Sequence, residues 1–217
     1  MSRFGKCCAI VILLFASIAA ADEALPPLQL TISDTTVAVG NVTPGGDVVI
    51  FVASVENAGG HFLHRGGAKA FRDDDRDGLV TTGDTRPVPF RSIWVAIDVE
   101  TGRSAAATPA GFPLQSSPLG PELLDEGSEG VTAVSDLSQR NADMLVVRPK
   151  DGAWRLRAHE GGNGDGDQSS NGKLRLNAAE AIALSGDKPA PKHLKKGDVV
   201  AIIDPVNLEL LIGEVTK

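Results

Sequence analysis

The sequence V-V-I-F-V-A-S-V at residues 48–55 decides the fold class of this chain. An apolar run of this length, in which Ser54 is the single polar residue, is rich in β-branched residues and follows the Pro/Gly turn at 41–46, so it predicts a buried β-strand. The run I-W-V-A-I-D-V at residues 93–99 predicts a second one. Between residues 28 and 39, apolar and polar residues alternate as they do in half-buried strands. These patterns together predict a β-meander.

The second half of the chain has a similar pattern. Residues 144–148 and 154–158 flank the turn Lys150-Asp151-Gly152, and this combination predicts a compact hairpin. Residues 199–203 and 208–212 predict the last two strands. Both halves contain an apolar strand, an Asp-rich loop and a strand that ends in Asp. This order favours two similar halves, and chance similarity among β-strands is the alternative interpretation.

One short helix is also predicted. Asn177 suits an N-cap, and Glu180 stands three residues later, as in a capping box. Most residues of 178–184 are good helix formers, and Gly186 follows as a stop signal. The expected fold class is therefore mainly β, with an antiparallel β-sandwich-like arrangement and this single helix.

The first 21 residues have the features of a secretory signal peptide. Arg3 and Lys6 give a positive start, residues 7–21 are apolar, and Ala19-Ala20-Ala21 fits the small-residue cleavage pattern. The apolar run is shorter than the roughly 20 residues that a spanning helix needs, so an uncleaved anchor is the less favoured alternative. We therefore expect a secreted or periplasmic protein that begins near Asp22, with no transmembrane segment in the mature chain.

The composition is that of an acidic globular protein. Of its 217 residues 42% are hydrophobic and 4% aromatic, which excludes a disordered or collagen-like chain. Both cysteines, Cys7 and Cys8, lie in the signal peptide, so we expect neither a disulfide nor a thiolate metal site in the mature chain. A formal net charge of −7 argues against nucleic acid as a partner and favours cations.

Composition divides the mature chain into three segments. Residues 22–102 form a β-rich half with an acidic loop, and residues 142–217 form a β-rich half with a second Asp/Gly-rich loop. The segment between them, residues 103–141, is rich in Pro, Ala and Ser. Because proline interrupts regular structure, we expect this segment to be a connector or a long crossover.

The clearest chemical signal is the sequence D-D-D-R-D-G-L-V-T-T-G-D at residues 73–84. Positions 1, 3, 5, 6 and 12 of a twelve-residue calcium loop are filled by Asp73, Asp75, Asp77, Gly78 and Asp84. Ca²⁺ takes about six to eight oxygen ligands, and alternating carboxylates on a short loop supply several of them around one ion. The spacing therefore predicts a calcium site, and a solvated acidic turn is the alternative.

The remaining positions of the loop also suit calcium. The backbone carbonyl of Leu79 would be the ligand at position 7, Thr81 would hold a water at position 9, and Val80 would anchor the loop in the core. The twelve residues resemble the calcium loops of EF-hand and dockerin proteins, and dockerins also close the loop with Asp. The resemblance implies Ca²⁺ as the bound ion. It does not extend to the fold or to cohesin binding, because residues 85–89 contain two prolines and cannot continue as a helix.

A second loop carries Asp165, Asp167 and Asn171. In a register that begins at Asp167, Asn171 takes position 5, but position 12 is Ala178, which has no carboxylate. A degenerate metal site and a plain turn cluster are the two interpretations of this loop. Two histidines, His61 and His64, precede the first acidic loop, but they lack a third nitrogen or sulfur ligand nearby and are expected to be ordinary loop residues.

No catalytic motif is recognisable, since H-E-x-x-H, P-loop and G-x-S-x-G patterns are all missing from the sequence. We therefore assign no catalytic residue. The leading hypothesis is a secreted or periplasmic calcium-binding β module that has a structural role or binds an extracytoplasmic protein or polysaccharide. The alternative is a calcium-dependent extracytoplasmic hydrolase of polysaccharides or esters, with its acidic pair near Asp98 or Asp204.

Overall fold

The computed structural model describes residues 25–58, 61–82, 88–109, 115–118, 124–127, 130–134, 141–160, 173–176, 181–191, 194–204 and 208–215. The described residues form sixteen β-strands and no helix. The first seven strands are β1 (Gln29–Ile32), β2 (Val37–Gly40), β3 (Asp47–Ala58), β4 (His61–Arg72), β5 (Leu79–Thr81), β6 (Ser92–Asp98) and β7 (Ser104–Ala107). The others are β8 (Gln115–Pro118), β9 (Leu124–Gly127), β10 (Gly130–Val134), β11 (Asn141–Arg148), β12 (Gly152–Glu160), β13 (Lys173–Leu176), β14 (Ile182–Ser185), β15 (Val199–Asp204) and β16 (Glu209–Glu214).

The strands are arranged in three sheets. The short sheet has the order β1-β2-β5, and the central sheet has the order β4-β3-β6-β7. The long sheet has the order β8-β16-β15-β11-β12-β13-β10-β9, and β14 also pairs with β12. The described neighbours are antiparallel, except that β8 runs parallel to β16. The longest pairing is the β3–β4 hairpin, which aligns residues from Asp47 opposite Arg72 to Ala58 opposite His61.

The central sheet packs between the other two sheets, so β3 is buried on both faces. On one face, Phe51 shares a core cluster with Leu145 of the long sheet. On the other face, Ile50 shares a cluster with Val80 of the short sheet. A strand that is covered on both sides needs apolar residues at successive positions rather than at alternate ones. This requirement explains the apolar run at residues 48–55, and the three packed sheets confirm the mainly β, sandwich-like fold class.

The apolar runs of the sequence became strands as predicted. Residues 48–55, 93–99, 144–148 and 199–203 lie in or overlap β3, β6, β11 and β15. The turn between β11 and β12 has positive φ angles of 66° at Lys150 and 149° at Gly152. The hairpin predicted from this turn is present, with Arg148 opposite Gly152.

The predicted short helix is wrong where the structure describes it. Ile182–Ser185 form β14, which pairs with β12 and places Ser185 opposite Ala153. Helix propensity is a weak preference, and the backbone hydrogen bonds that the neighbouring strand offers outweigh it here. Residues 177–180 of the same prediction lie outside the described residues.

Two further expectations differ from the structure. The segment 103–141, which was expected to be irregular, contains β7, β8, β9 and β10. Pro118 is compatible with a strand because it ends β8 at the edge of the long sheet, where a missing N–H disrupts little. His61 and His64 lie in β4 rather than in a loop. No helix long and apolar enough to cross a membrane is found in the described part of the chain.

Candidate metal centre

The acidic loop joins two different sheets. Its connecting part, residues 73–78, begins at Asp73, directly after β4 of the central sheet, and ends at Gly78, directly before β5 of the short sheet. Val80 in β5 is 5% exposed and packs in the core between these sheets, as the sequence predicted. The loop therefore lies at a junction, where a bound ion would connect two layers of the fold.

Three of the predicted ligands are close together. Oxygen atoms from the carboxylates of Asp73, Asp75 and Asp77 lie within 4.8 Å of one another. Asp73 is buried, whereas Asp75 and Asp77 are exposed. One wall of the candidate site is thus formed by the protein interior and the other opens to solvent, which would let an ion enter and keep some of its water.

Asp73 fastens the loop to the turn that precedes β3. Its backbone N–H donates to the Gly46 carbonyl at 3.0 Å, and its Oδ2 accepts from the backbone N–H groups of Gly45 at 3.2 Å and Gly78 at 3.1 Å. The Val42 N–H donates to the Gly78 carbonyl at 3.0 Å. These bonds fix the orientation of the Asp73 carboxylate before any ion binds.

The second oxygen of Asp73 is different. Asp73 is 1% exposed, and its Oδ1 atom is buried without a hydrogen-bond partner among the described residues. A buried charged oxygen without a partner costs free energy, because folding removes the water that would otherwise solvate it. A cation between this oxygen and the carboxylates of Asp75 and Asp77 would remove that cost.

The carboxylates of the loop influence one another's protonation. Burial acts to raise the pKa of Asp73, but the N–H groups of Gly45 and Gly78 outweigh burial, so this pKa lies below its ordinary value. The pKa of Asp75 is raised, mainly by its side-chain contact with Asp73 and further by the charge of Asp77. The crowding of negative charge that raises it is also what attracts a divalent cation.

The middle of the loop has the backbone conformation that a tight turn needs. Gly78 has a φ of 76°, a left-handed conformation that glycine adopts without strain, as its position 6 predicted. Asp77 Oδ1 accepts a hydrogen bond from the Leu79 N–H at 2.8 Å, which closes the turn into β5. Thr81 lies in β5 opposite Ala38. The other predicted ligands, Asp84, Asp165, Asp167 and Asn171, lie outside the described residues.

Two further buried carboxylates have structural roles that the sequence analysis did not predict. Asp98, at the end of β6, is fully buried and accepts bonds at 2.7 Å from the Arg103 guanidinium and the Thr43 hydroxyl. Its other bonds come from the backbone N–H groups of Thr43, Glu100 and Thr101. The signal that could have revealed this role is an Asp at the end of a buried strand, just before the turn that brings Arg103 back.

The bonds to Asp98 determine its protonation. Burial acts to raise the pKa of Asp98, but the hydroxyl and N–H of Thr43, the N–H of Thr101 and the charge of Arg103 together hold it below its ordinary value. A general acid needs a pKa near the working pH. Asp98 has a lowered pKa instead, and both of its carboxylate oxygens already accept hydrogen bonds. Asp98 is therefore held as a charged structural anchor, an arrangement that does not suit a general acid. The side chain of Asp204 lies outside the described residues.

Asp198 is the corresponding anchor beside β15. It is 1% exposed, and its two oxygens accept from Nε and Nη2 of Arg148 at 2.7 and 2.8 Å. The Lys195 N–H donates a further bond to Oδ2 at 2.8 Å. This two-point contact is the strong geometry for an arginine and a carboxylate.

Comparison with known proteins gives no relative for this chain: no family model matches it, and neither a curated protein nor a solved structure does.

Proposed function

We propose that this chain is a secreted or periplasmic calcium-binding β module, in which one Ca²⁺ ion at Asp73, Asp75 and Asp77 stabilises the junction between the central and short sheets. The observation that carries the proposal is Asp73 Oδ1, a buried oxygen that has no partner in the described part of the chain and lies beside two further carboxylates. Acidic loops are common on protein surfaces, but a buried unpaired carboxylate oxygen is uncommon.

The donor set supports calcium over other metals. All three side chains offer carboxylate oxygens, which suit hard cations, whereas Zn²⁺ favours nitrogen and sulfur. Mg²⁺ requires nearly octahedral geometry and gives up its water reluctantly, while Ca²⁺ tolerates irregular sites with more ligands. The carbonyl of Leu79, a water at Thr81 and the carboxylate of Asp84 would complete the shell in this proposal.

A structural role follows from the position of the loop. The ion would bind residues that directly follow β4 and directly precede β5, so it would resist separation of the two sheets. Extracellular calcium modules bind with a Kd of about 0.1–1 mM, which suits an extracytoplasmic location. The stabilised module would then present its surface to an extracytoplasmic protein or polysaccharide.

Thermal unfolding in EDTA and in millimolar Ca²⁺ tests the metal site. At a hundredfold excess over Kd, an ion that binds only the folded state adds about 2.7 kcal/mol of stability, and this gain should raise the Tm. Asp75→Asn should remove most of the increase, because it takes away one of the three carboxylates and leaves the bonds from Gly45 and Gly78 to Asp73 in place.

The matched control is Asp74→Asn. It removes the same charge from the same loop, but Asp74 is not in the carboxylate group, and its ion pair with Arg72 is long, at 3.9 Å, and exposed. This variant should keep the full response to calcium. If wild-type protein unfolds at the same temperature in EDTA and in calcium, the loop is a charged turn and the proposal is wrong.

The proposed location has a separate test. Mass spectrometry of protein recovered from the medium or periplasm of an expressing bacterium should give a chain that begins near Asp22. A secreted product that still contains residues 1–21 would contradict cleavage. Its outcome does not depend on whether the loop binds calcium.

A further inference from the structure

A cavity of about 560 Å³ lies on the face of the central sheet that is turned toward the short sheet. It is lined by Ile50, Val52, Gly67, Ala68, Lys69, Phe71, Thr82 and Trp94. Small-molecule sites in proteins have volumes of about 300–1,000 Å³ and walls that are mainly apolar, with a few polar groups. Thr82 belongs to the acidic loop, but Asp73, Asp75 and Asp77 are not among the lining residues.

The floor of the cavity contains a gap at Gly67. Val52 of β3 stands between Gly67 of β4 and Trp94 of β6 in one cross-strand row. A Cβ atom added to Gly67 would meet nothing within 4 Å, and its φ is not in the left-handed region. Neither the backbone conformation nor steric crowding requires glycine at residue 67. Glycine inside a strand also makes that strand less stable. Because no side chain fills the space above Gly67, a ligand can approach the backbone of the strand at this position.

Two side chains in the cavity wall, Lys69 and Thr82, can donate a hydrogen bond to a ligand. Lys69 extends its ammonium over the ring of Phe71, with Nζ 5.1 Å from the ring centre. The Thr82 hydroxyl oxygen accepts from the Val37 N–H at 3.1 Å, which leaves the hydroxyl proton free to donate to a ligand. Trp94 donates its indole N–H to Ser92 at 2.9 Å, so toward the cavity it offers an apolar ring.

We propose that this cavity binds a small apolar molecule that carries a single carboxylate. The apolar body would lie over Gly67 against Val52 and Trp94, and the carboxylate would accept from Lys69 and Thr82. Among the lining residues that the structure describes, none is acidic, so none opposes an anion. The pairing of a positive charge with apolar walls distinguishes this ligand class from a neutral hydrocarbon and from a fully hydrated anion.

Adamantane-1-carboxylate is a suitable probe, because it is compact, apolar and transparent where tryptophan absorbs. Adamantane-1-carboxamide has nearly the same shape without the charge. We expect calorimetry to detect binding of the carboxylate, and the carboxamide to bind about tenfold more weakly, since hydrogen bonds to charged groups are the stronger ones. Lys69→Met should remove that difference. Equal binding of the two probes by the wild type, or no binding of the carboxylate, would overturn the proposal.

The two tryptophans locate the bound probe. Trp94 is partly exposed in the cavity, whereas Trp154 is 1% exposed and belongs to a core cluster of the long sheet. The probe should change the tryptophan fluorescence of the wild type, and Trp94→Phe should abolish that change. A full fluorescence response in Trp94→Phe would place the probe elsewhere and contradict the proposal.

Gly67→Val is the decisive variant. Its side chain would fill the cavity floor, and valine favours a strand, so the Tm should be equal to or higher than that of the wild type while binding is lost. Gly67→Ala serves as a milder variant if valine disturbs folding, and it should weaken binding. Unchanged affinity in both variants would show that the probe does not use this cavity. Because Thr82 lies in the acidic loop, the measurements are made in EDTA, so that they stand or fall separately from the proposed calcium binding.

Discussion

The end of β6 and the end of β4 both bury an aspartate, but the two sites balance its charge differently. Asp98 receives five hydrogen bonds, including one from the Arg103 guanidinium at 2.7 Å. Among the described residues, Asp73 receives two backbone bonds on one oxygen and none on the other. Carboxylate oxygens of Asp75 and Asp77 lie within 4.8 Å of it. The first site is complete within the chain, whereas the second leaves a buried oxygen that the proposed calcium ion would neutralise.

Asp198 supports the same distinction in the other half of the chain. Arg148 contacts both of its oxygens, and the pair is nearly excluded from solvent, with 19% of the arginine and 1% of the aspartate side chain exposed. The protein therefore solves the burial of an aspartate with its own arginine in two places. In the acidic loop, by contrast, no arginine is seen to bond the buried Asp73 among the described residues. This is also the loop in which the spacing of the carboxylates fits calcium.

The largest effect is expected from breaking an internal pair. Arg148→Met should lower the free energy of unfolding by about 3–5 kcal/mol, because Asp198 would remain buried without its cation. Urea unfolding with and without calcium measures this loss, which should be the same in both conditions. A loss below about 1 kcal/mol would mean that the carboxylate is rescued by solvent and that the pair is not a buried one.

Giving the acidic loop its own cation should produce the next effect. Asp75→Lys places an ammonium beside the Asp73 carboxylate, so the calcium-free protein should become more stable. The gain from calcium, about 2.7 kcal/mol at a hundredfold excess over Kd, should disappear. Asp74→Lys is the matched control and should retain the calcium response in thermal unfolding. If Asp75→Lys destabilises the calcium-free protein instead, Asp73 is not short of a cation.

Acid should weaken the Asp98 anchor. Because its folded pKa lies below the ordinary value of 3.8, the stabilisation is complete above that value and is lost as the pH falls through the lower folded pKa. The wild type should therefore lose stability more steeply than Asp98→Asn below about pH 4, by at most about 1.4 kcal/mol per pH unit for one proton. Urea unfolding at several pH values measures the difference, and a constant gap between the two proteins would contradict this assignment.

The smallest effect should come from an exposed pair. Lys188 contacts Asp151, and the two side chains are 60% and 34% exposed. Lys188→Met should change stability by less than about 1 kcal/mol, because solvent screens the charges and both side chains lose freedom in the pair. A loss as large as that of Arg148→Met would show that burial does not determine how much each of these ion pairs contributes to stability. Salt titration of the wild type and variant provides a second measurement of the same contrast.

The sequence predicted the acidic loop well because its signals are local. The alternating Asp73, Asp75 and Asp77 and the turn at Gly78 depend only on residues that are neighbours along the chain. Neither β4 nor β14 could be predicted in this way, since the glycines of β4 and the helix formers near β14 have other local preferences. Their strands exist because β3 and β12 offer partners for backbone hydrogen bonds.

The sequence by itself determined the mainly β class, through apolar runs long enough to be buried on both faces, and it determined the spacing of the loop carboxylates. Only the tertiary structure decided which aspartates are paired. Arg148 and Asp198 are fifty residues apart, and the unpaired oxygen of Asp73 results from the docking of its loop on Gly45. Burial and partner choice depend on which surfaces meet, and that information is distributed over the whole chain rather than held in any one segment.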